Sequence, residues 1–173
     1  QHIAGGRVPP SLTIIGGGFI GLEFASMFAA FGSAVRILER GSTFLPALDD
    51  DVREAVVTTL ADRGIEIVTD APVSAIEDDG RQVVCGAGTF ETDAVLVAVG
   101  RKPETAALDL PAAGIETNER GFIVVDDQLR TSADGVWAVG DVNGGPQFTY
   151  VSLDDYRIVK DQLVGDSHRS RSD

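Results

Sequence analysis

The chain has 173 residues, 43% of them hydrophobic, and carries 14 Lys and Arg against 27 Asp and Glu for a formal net charge of -13. A chain of this size buries a core as one ordinary domain without help from disulfides or metals. Its acidic balance repels polyanions at long range, which argues against nucleic acid or an anionic membrane as a partner.

Residues 1–10 read as a linker, and because they start at Gln1 and run straight into a strand, the sequence is expected to be a piece of a longer polypeptide. Ser11 to Ile15 is a short β-branched apolar run that stops at glycine, and Phe19 to Phe31 places apolar residues at helical spacing. Gly32 is placed to close that helix, and Ala34 to Leu38 gives a second strand ending at Glu39, which completes a βαβ unit. The segment "PALDDDVREAVVTTLADRG" predicts a second helix, with Asp49 to Asp51 capping its start and Gly64 ending it, followed by a strand over Ile65 to Val68. Val73 to Glu77, Gln82 to Cys85 and Thr89 to Thr92 are short strands separated by the turn signals "DDGR" and "GAG", which predicts an inserted three-stranded antiparallel meander. "AVLVAVG", Ala94 to Gly100, is apolar enough for a parallel strand covered on both faces.

Beyond Gly100 the texture becomes loop-rich up to about Arg120. Two further strands are predicted over Phe122 to Val125 and Gly135 to Val139, then a helix over Val151 to Leu163. Residues 166–173, "DSHRSRSD", read as a polar tail.

Gly16-Gly17-Gly18-Phe19-Ile20-Gly21 fits G-x-G-x-x-G where strand passes into helix. In that pattern the first glycine permits a sharp turn, the second lets backbone amides approach a pyrophosphate, and the third lets helix and strand pack closely. The helix N-terminus then faces the anion with unpaired N–H groups and a favourable dipole. Glu39 at the end of the second strand can accept hydrogen bonds from both hydroxyls of an adenosine ribose and would repel a 2′-phosphate, so NAD(H) is favoured over NADP(H). Arg40 beside it is the residue that could tolerate such a phosphate. The alternative is a glycine-rich turn with no ligand.

Three ordered segments, "IIGGGFIGLEFA", "VLVAVGRKPET" and "TSADGVWAVGDV", closely resemble the pyridine nucleotide-disulfide oxidoreductases, the family of glutathione reductase, dihydrolipoamide dehydrogenase and mercuric reductase. The resemblance spans about Leu12 to Val164, and "FTYVSLDDYRIVKDQL" looks most like the mercuric-reductase-like flavoproteins. It implies an α/β fold of the Rossmann type that binds FAD and NAD(P), with a parallel sheet and the inserted meander. It also implies an enzyme in which NAD(P)H reduces FAD and the flavin passes electrons to a disulfide, a metal ion or another acceptor.

Carried over by position, Gly16, Gly18, Phe19, Ile20 and Gly21 would hold NAD, with Phe19 as an aromatic gate. Glu39 and Arg40 would lie at the ribose and Gly100 along the dinucleotide. Glu23 would approach the nicotinamide, although an acid in the first helical turn also suits the dipole. Gly140 and Asp141 would meet the ribityl chain of FAD, and Phe148, Thr149 and Tyr150 the flavin ring. The family's upstream FAD motif and redox cysteine pair, and its downstream dimerisation domain, are missing from this sequence. The expected organisation is therefore an NAD(P)-binding domain over 11–114 and the C-terminal part of an incomplete FAD-binding domain over 115–165. The isolated piece is expected to bind FAD weakly or not at all and to be inactive by itself, whereas the full-length protein would be a homodimer. A nucleotide-binding or assembly module with no redox activity of its own is the second reading.

Other residues invite plainer readings. Cys85, the one cysteine, excludes an internal disulfide, favours a reduced cytoplasmic setting, and is expected to be a buried apolar side chain. His2 and His168 lie in polar termini, no cluster has metal-ligand spacing, and no run reaches the ~18 apolar residues of a membrane span. Trp137 is expected to be a core strand aromatic. Tyr156 and Lys160 make the Y-x-x-x-K spacing of short-chain dehydrogenases, but the first glycine turn does not have that family's pattern.

Overall fold

The computed structural model describes residues 6–165 and 168–172. His2 lies outside them. The chain divides into two compact units, Gln1–Gly100 and Arg101–Asp173, ahead of the boundary at Gly114 expected from the sequence.

In the first unit the apolar runs become β1 (Ser11–Ile15), β2 (Ala34–Leu38), β3 (Glu66–Val68) and β7 (Ala94–Val97), which pair in parallel in the order β3-β2-β1-β7. Between β3 and β7 the chain inserts β4 (Val73–Glu77), β5 (Gln82–Cys85) and β6 (Gly88–Glu91) as a separate antiparallel sheet. The helices are α1 (Phe19–Ala30) and α2 (Asp50–Asp62). The chain thus steps from β1 outward to β2 and β3, then returns to the other side of β1. That reversal opens a crevice at the carboxyl ends of the strands.

Register brings those ends level. Ile15 pairs with Leu38 and Val97, and Leu38 with Val68. The ladder continues one residue further, through Gly16 N–H to Leu38 O at 2.9 Å, Glu39 N–H to Val68 O at 2.8 Å and Ala98 N–H to Ile15 O at 2.8 Å. Gly16 and Glu39 are therefore neighbours because of strand pairing.

The sheet is covered on both faces, as its apolar composition requires. Leu12, Ile14, Val35 and Ile37 join Ala25 and Phe28 of α1 and Leu60 of α2 in one core. Ile15 and Leu38 join Val83 and Cys85 of the meander in another. Cys85 is buried, as read from the sequence. Arg36 lies over the Phe90 ring at 4.3 Å and pairs with Glu66 at 2.7 Å. Its stem and charge are thus both used at the meander face.

Both long helices of this unit stop at glycine for the same geometric reason. Gly32 and Gly64 have φ of +94° and +72°. In each case the next amide reaches back to the helix, Ser33 N–H to Phe28 O and Ile65 N–H to Leu60 O, both at 3.0 Å. These are paired C-terminal caps that satisfy the last carbonyls. At the start of α2 the expectation is corrected in part. Asp49 holds the N-cap position without a side-chain cap bond, and Asp50 and Asp51 act from the first turn on the dipole.

The second unit departs most from the sequence reading. In place of strands over Phe122 to Val125 and Gly135 to Val139 there are isolated bridges, Thr117 with Ile123 and Arg130 with Trp137. Side chains take the donors a ladder would use. Asn118 Oδ1 accepts from Arg120 N–H at 3.0 Å and Phe122 N–H at 3.1 Å, and Asp126 Oδ1 from Gln128 N–H at 2.9 Å and Arg130 N–H at 2.8 Å. Trp137 is accordingly half-buried outside any strand. A small core of Leu110, Ile123 and Ala138 holds the unit.

Helix α3 (Thr149–Val164) starts earlier than expected, since Ser152 N–H already bonds Phe148 O at 3.1 Å. The polar tail is not simply solvated. Asp161 Oδ2 accepts His168 N–H at 2.8 Å and Arg169 N–H at 2.9 Å, and Arg171 N–H bonds Asp127 O at 2.9 Å. Among the described residues no helix is long and apolar enough to cross a membrane.

Candidate functional site

The glycine loop between β1 and α1 is shaped by what each missing side chain would strike. Gly16 turns at φ +103°, and a Cβ there would lie 2.5 Å from Ala98 O. At Gly21 a Cβ would lie 2.3 Å from Gly16 O and 3.3 Å from Ile14 Cγ2, so this glycine seats the helix on the strand. Gly18 differs, because a Cβ would meet nothing within 4 Å. It is the N-cap of α1, with open space where a side chain would stand.

The two helices of this unit begin differently. Among the described residues α1 has no side-chain cap and no acid in its first turn, whereas α2 has two. In a chain this acidic the contrast leaves the first turn of α1 without a carboxylate of its own against the positive end of the helix. Phe19 and Ile20 open the helix at 51% and 39% exposure. Glu23 is exposed but is the fifth residue of α1, so it stands beyond the first turn and its expected dipole role is corrected.

Glu39 is half-buried at the end of β2, and its two oxygens are divided. Oε2 accepts Gly17 N–H and Oε1 accepts Gly41 N–H, both at 2.9 Å. A carboxylate offers about four lone-pair sites, so acceptor capacity remains for two hydroxyls. This double tie to the backbone was not read from the sequence. Arg40 is exposed, and Gly100, at φ +114°, lies beyond the end of β7 rather than at it.

In the second unit, Gly140 turns at φ +73° into a short 3-10 turn, Gly140–Asn143. Asp141 pairs with Arg101 at 2.6 Å, each side chain 46% exposed. Phe148 and Tyr150 stack at 5.2 Å between centroids, with Thr149 exposed between them. The residue the sequence reading missed is Asp155. It is 3% exposed, and its Oδ2 accepts Gly140 N–H at 2.7 Å and Asn143 Nδ2–H at 3.0 Å. The available signal was its spacing three residues before Ile158, which faces the core at 1% exposure. Among the described residues no group of three or more His, Cys, Asp or Glu is placed to hold a metal ion.

Residues 1–155 match the pyridine nucleotide-disulphide oxidoreductases. The chain belongs to that family. Like other pyridine nucleotide-disulphide oxidoreductases it has curated relatives among redox enzymes. It is 52% identical over 169 residues to the probable pyridine nucleotide-disulfide oxidoreductase RclA of Escherichia coli (strain K12), covering 96% of this chain and 38% of that protein. It is 38% identical over 165 residues to a mercuric reductase of Bacillus cereus, covering 92% and 26%. Its fold superposes on the HOCl-induced flavoprotein disulfide reductase RclA from Escherichia coli with a TM-score of 0.90 at 50% identity, covering 96% of this chain and 39% of that one. The chain thus spans well under half the length of these relatives.

Proposed function

We propose that the first unit binds a pyridine dinucleotide, NAD(H) in preference to NADP(H), and that in the full-length protein it delivers NADH to FAD. The observation that carries this reading is the clear space in front of Gly18 at an uncapped helix N-terminus, beside a carboxylate with free acceptor sites. A pyrophosphate would lie in that space. The α1 amides would donate to it, Gly16 and Gly21 would keep the loop flat, and Glu39 would take the ribose hydroxyls while repelling a 2′-phosphate. Phe19 and Ile20, exposed at the mouth, would cover the nicotinamide side, with Glu23 one helical turn further and Gly100 along the dinucleotide. Arg40 is the nearby cation against which the NAD preference is balanced.

In the second unit Gly140 and Asp141 would hold the ribityl chain of FAD, with Phe148 and Thr149 near the ring. Hydride transfer is chemistry that the two bound cofactors supply, while the protein's share is to bind, orient and exclude water. Domains over 11–114 and 115–165, a homodimer when full length, a cytoplasmic setting and a disulfide, metal ion or other electron acceptor belong to the same reading. The 173-residue chain alone is proposed to bind FAD weakly and to lack turnover. A second reading, a nucleotide-binding or assembly module without redox chemistry, is favoured by the single cysteine, which is buried.

Titration with NADH and NADPH, followed by ligand fluorescence and by flavin absorbance, tests this. Saturable NADH binding, weaker NADPH binding and no retained yellow colour are expected. Failure to bind either nucleotide removes the reading.

A further inference from the structure

Three successive glycines are one more than the nucleotide loop needs, since Gly17 occupies a position that G-x-G-x-x-G leaves unspecified. Backbone conformation does not account for it, because Gly17 is not among the residues with positive φ. Packing does. A Cβ on Gly17 would lie 2.6 and 2.8 Å from Cε2 and Cδ2 of Phe44 and 2.9 Å from Glu39 Oε2. An aromatic ring from elsewhere in the chain has the place of the missing side chain.

Phe44 lies in the irregular segment between β2 and α2, yet it is only 4% exposed. Leu45 beside it is 7% exposed and has φ +49°, a left-handed backbone that a leucine rarely adopts. Leu48 N–H closes the turn onto Leu45 O at 3.1 Å. The loop is thus held in an unfavourable conformation that buries Phe44 and Leu45 together, with the Phe44 ring against Gly17.

The geometry points to Phe44 as a positioning residue of the dinucleotide site: its ring, filling the Gly17 side-chain space, holds the Gly17 amide on the Glu39 carboxylate. It thereby fixes the spacing between the loop that meets the pyrophosphate and the acid that meets the ribose. This rests on the dinucleotide reading above. Phe44 also belongs to the same buried core as Leu60, so a purely space-filling role is the competing account. The two differ in what happens at Gly17. A space-filling residue contributes stability wherever it sits, whereas a positioning residue changes one amide and the affinity that depends on it.

The experiment compares wild type with Phe44→Leu, Phe44→Ala and the control Leu60→Ala, a similarly buried side chain on α2. Two quantities are read: the amide shift and exchange rate of Gly17 without nucleotide, and the Kd for NADH. The Phe44 variants are expected to move and deprotect the Gly17 amide and to raise the Kd about tenfold, the size of one lost charge-assisted hydrogen bond. Leu60→Ala is expected to lose stability while keeping both quantities, and Phe44→Leu keeps the comparison available if Phe44→Ala fails to fold. An unmoved Gly17 amide in the Phe44 variants, or an NADH Kd equal to that of wild type, overturns the proposal. If wild type itself binds no NADH, the dinucleotide reading falls, and the Gly17 amide still decides whether Phe44 holds the loop.

Discussion

Asp155, in the middle of α3, accepts the Gly140 amide at 2.7 Å from a position only 3% exposed. The same oxygen holds Asn143, so one buried carboxylate fixes both ends of the turn that carries Asp141. Asp155→Ala leaves the Gly140 N–H without its acceptor and the Asn143 amide with Ala138 O at 3.2 Å, and is expected to cost about 1–3 kcal/mol. Urea unfolding measures it. Asp155→Asn, which keeps a carbonyl oxygen, should lose less; equal losses would assign the effect to packing.

Two glycines of one loop should respond in opposite ways. Gly21→Ala gains about 1 kcal/mol in helix propensity, but its methyl meets the Gly16 carbonyl at 2.3 Å, and backbone cannot swing aside. A net loss of about 1–3 kcal/mol is expected. Gly18→Ala meets nothing and should unfold within about 1 kcal/mol of wild type, while NADH affinity falls at least about tenfold as the methyl enters the space for the pyrophosphate. Denaturation and NADH titration on both variants check the pair. A Gly18→Ala protein that binds NADH normally would move the site elsewhere.

Glu39→Gln keeps the shape of the side chain and removes its charge. Loss of a charged acceptor for the ribose is expected to weaken NADH about tenfold or more, with a smaller change for NADPH. The NADH to NADPH preference therefore narrows. Fluorescence titration with both nucleotides reads it, and an unchanged ratio would take specificity away from this carboxylate.

The Arg101–Asp141 pair is half exposed, so solvent screens it and Arg101→Gln should change stability by less than about 1 kcal/mol. Its expected effect is on the orientation of Asp141. In the full-length protein the variant should release flavin more readily than wild type during dialysis, at an unfolding midpoint that hardly moves. Flavin retention equal to wild type would leave the pair as a surface contact.

The β1-α1-β2 unit was legible because period, glycine and the terminal acid all agree over one continuous stretch. The meander was legible from its turn residues, with Asp79 and Gly80 both at positive φ between β4 and β5. Residues 115–139 were not. Their apolar alternation suggests strands, but Asn118 and Asp126 divert backbone donors to side chains, and that competition has no periodic trace. Glu39 was legible as an acid at a strand end, though not as a carboxylate tied to Gly17 and Gly41, because the first bond depends on the register of β2 against β1 and the second on how the chain turns just past the strand. Asp155 was hidden by chemistry: an acid on a helix reads as solvated until its donors are known.

The level strand ends have a consequence for assembly of the fold. A one-residue slip of β2 against β1 would shift Glu39 by roughly 3.3 Å and exchange the faces of every β2 side chain. Helix content would scarcely register such an error, yet the carboxylate would no longer reach the Gly17 amide. On the proposed reading, affinity for the dinucleotide would act as a proofreading signal for strand alignment, and a nucleotide present during refolding would favour molecules whose first two strands had met in step.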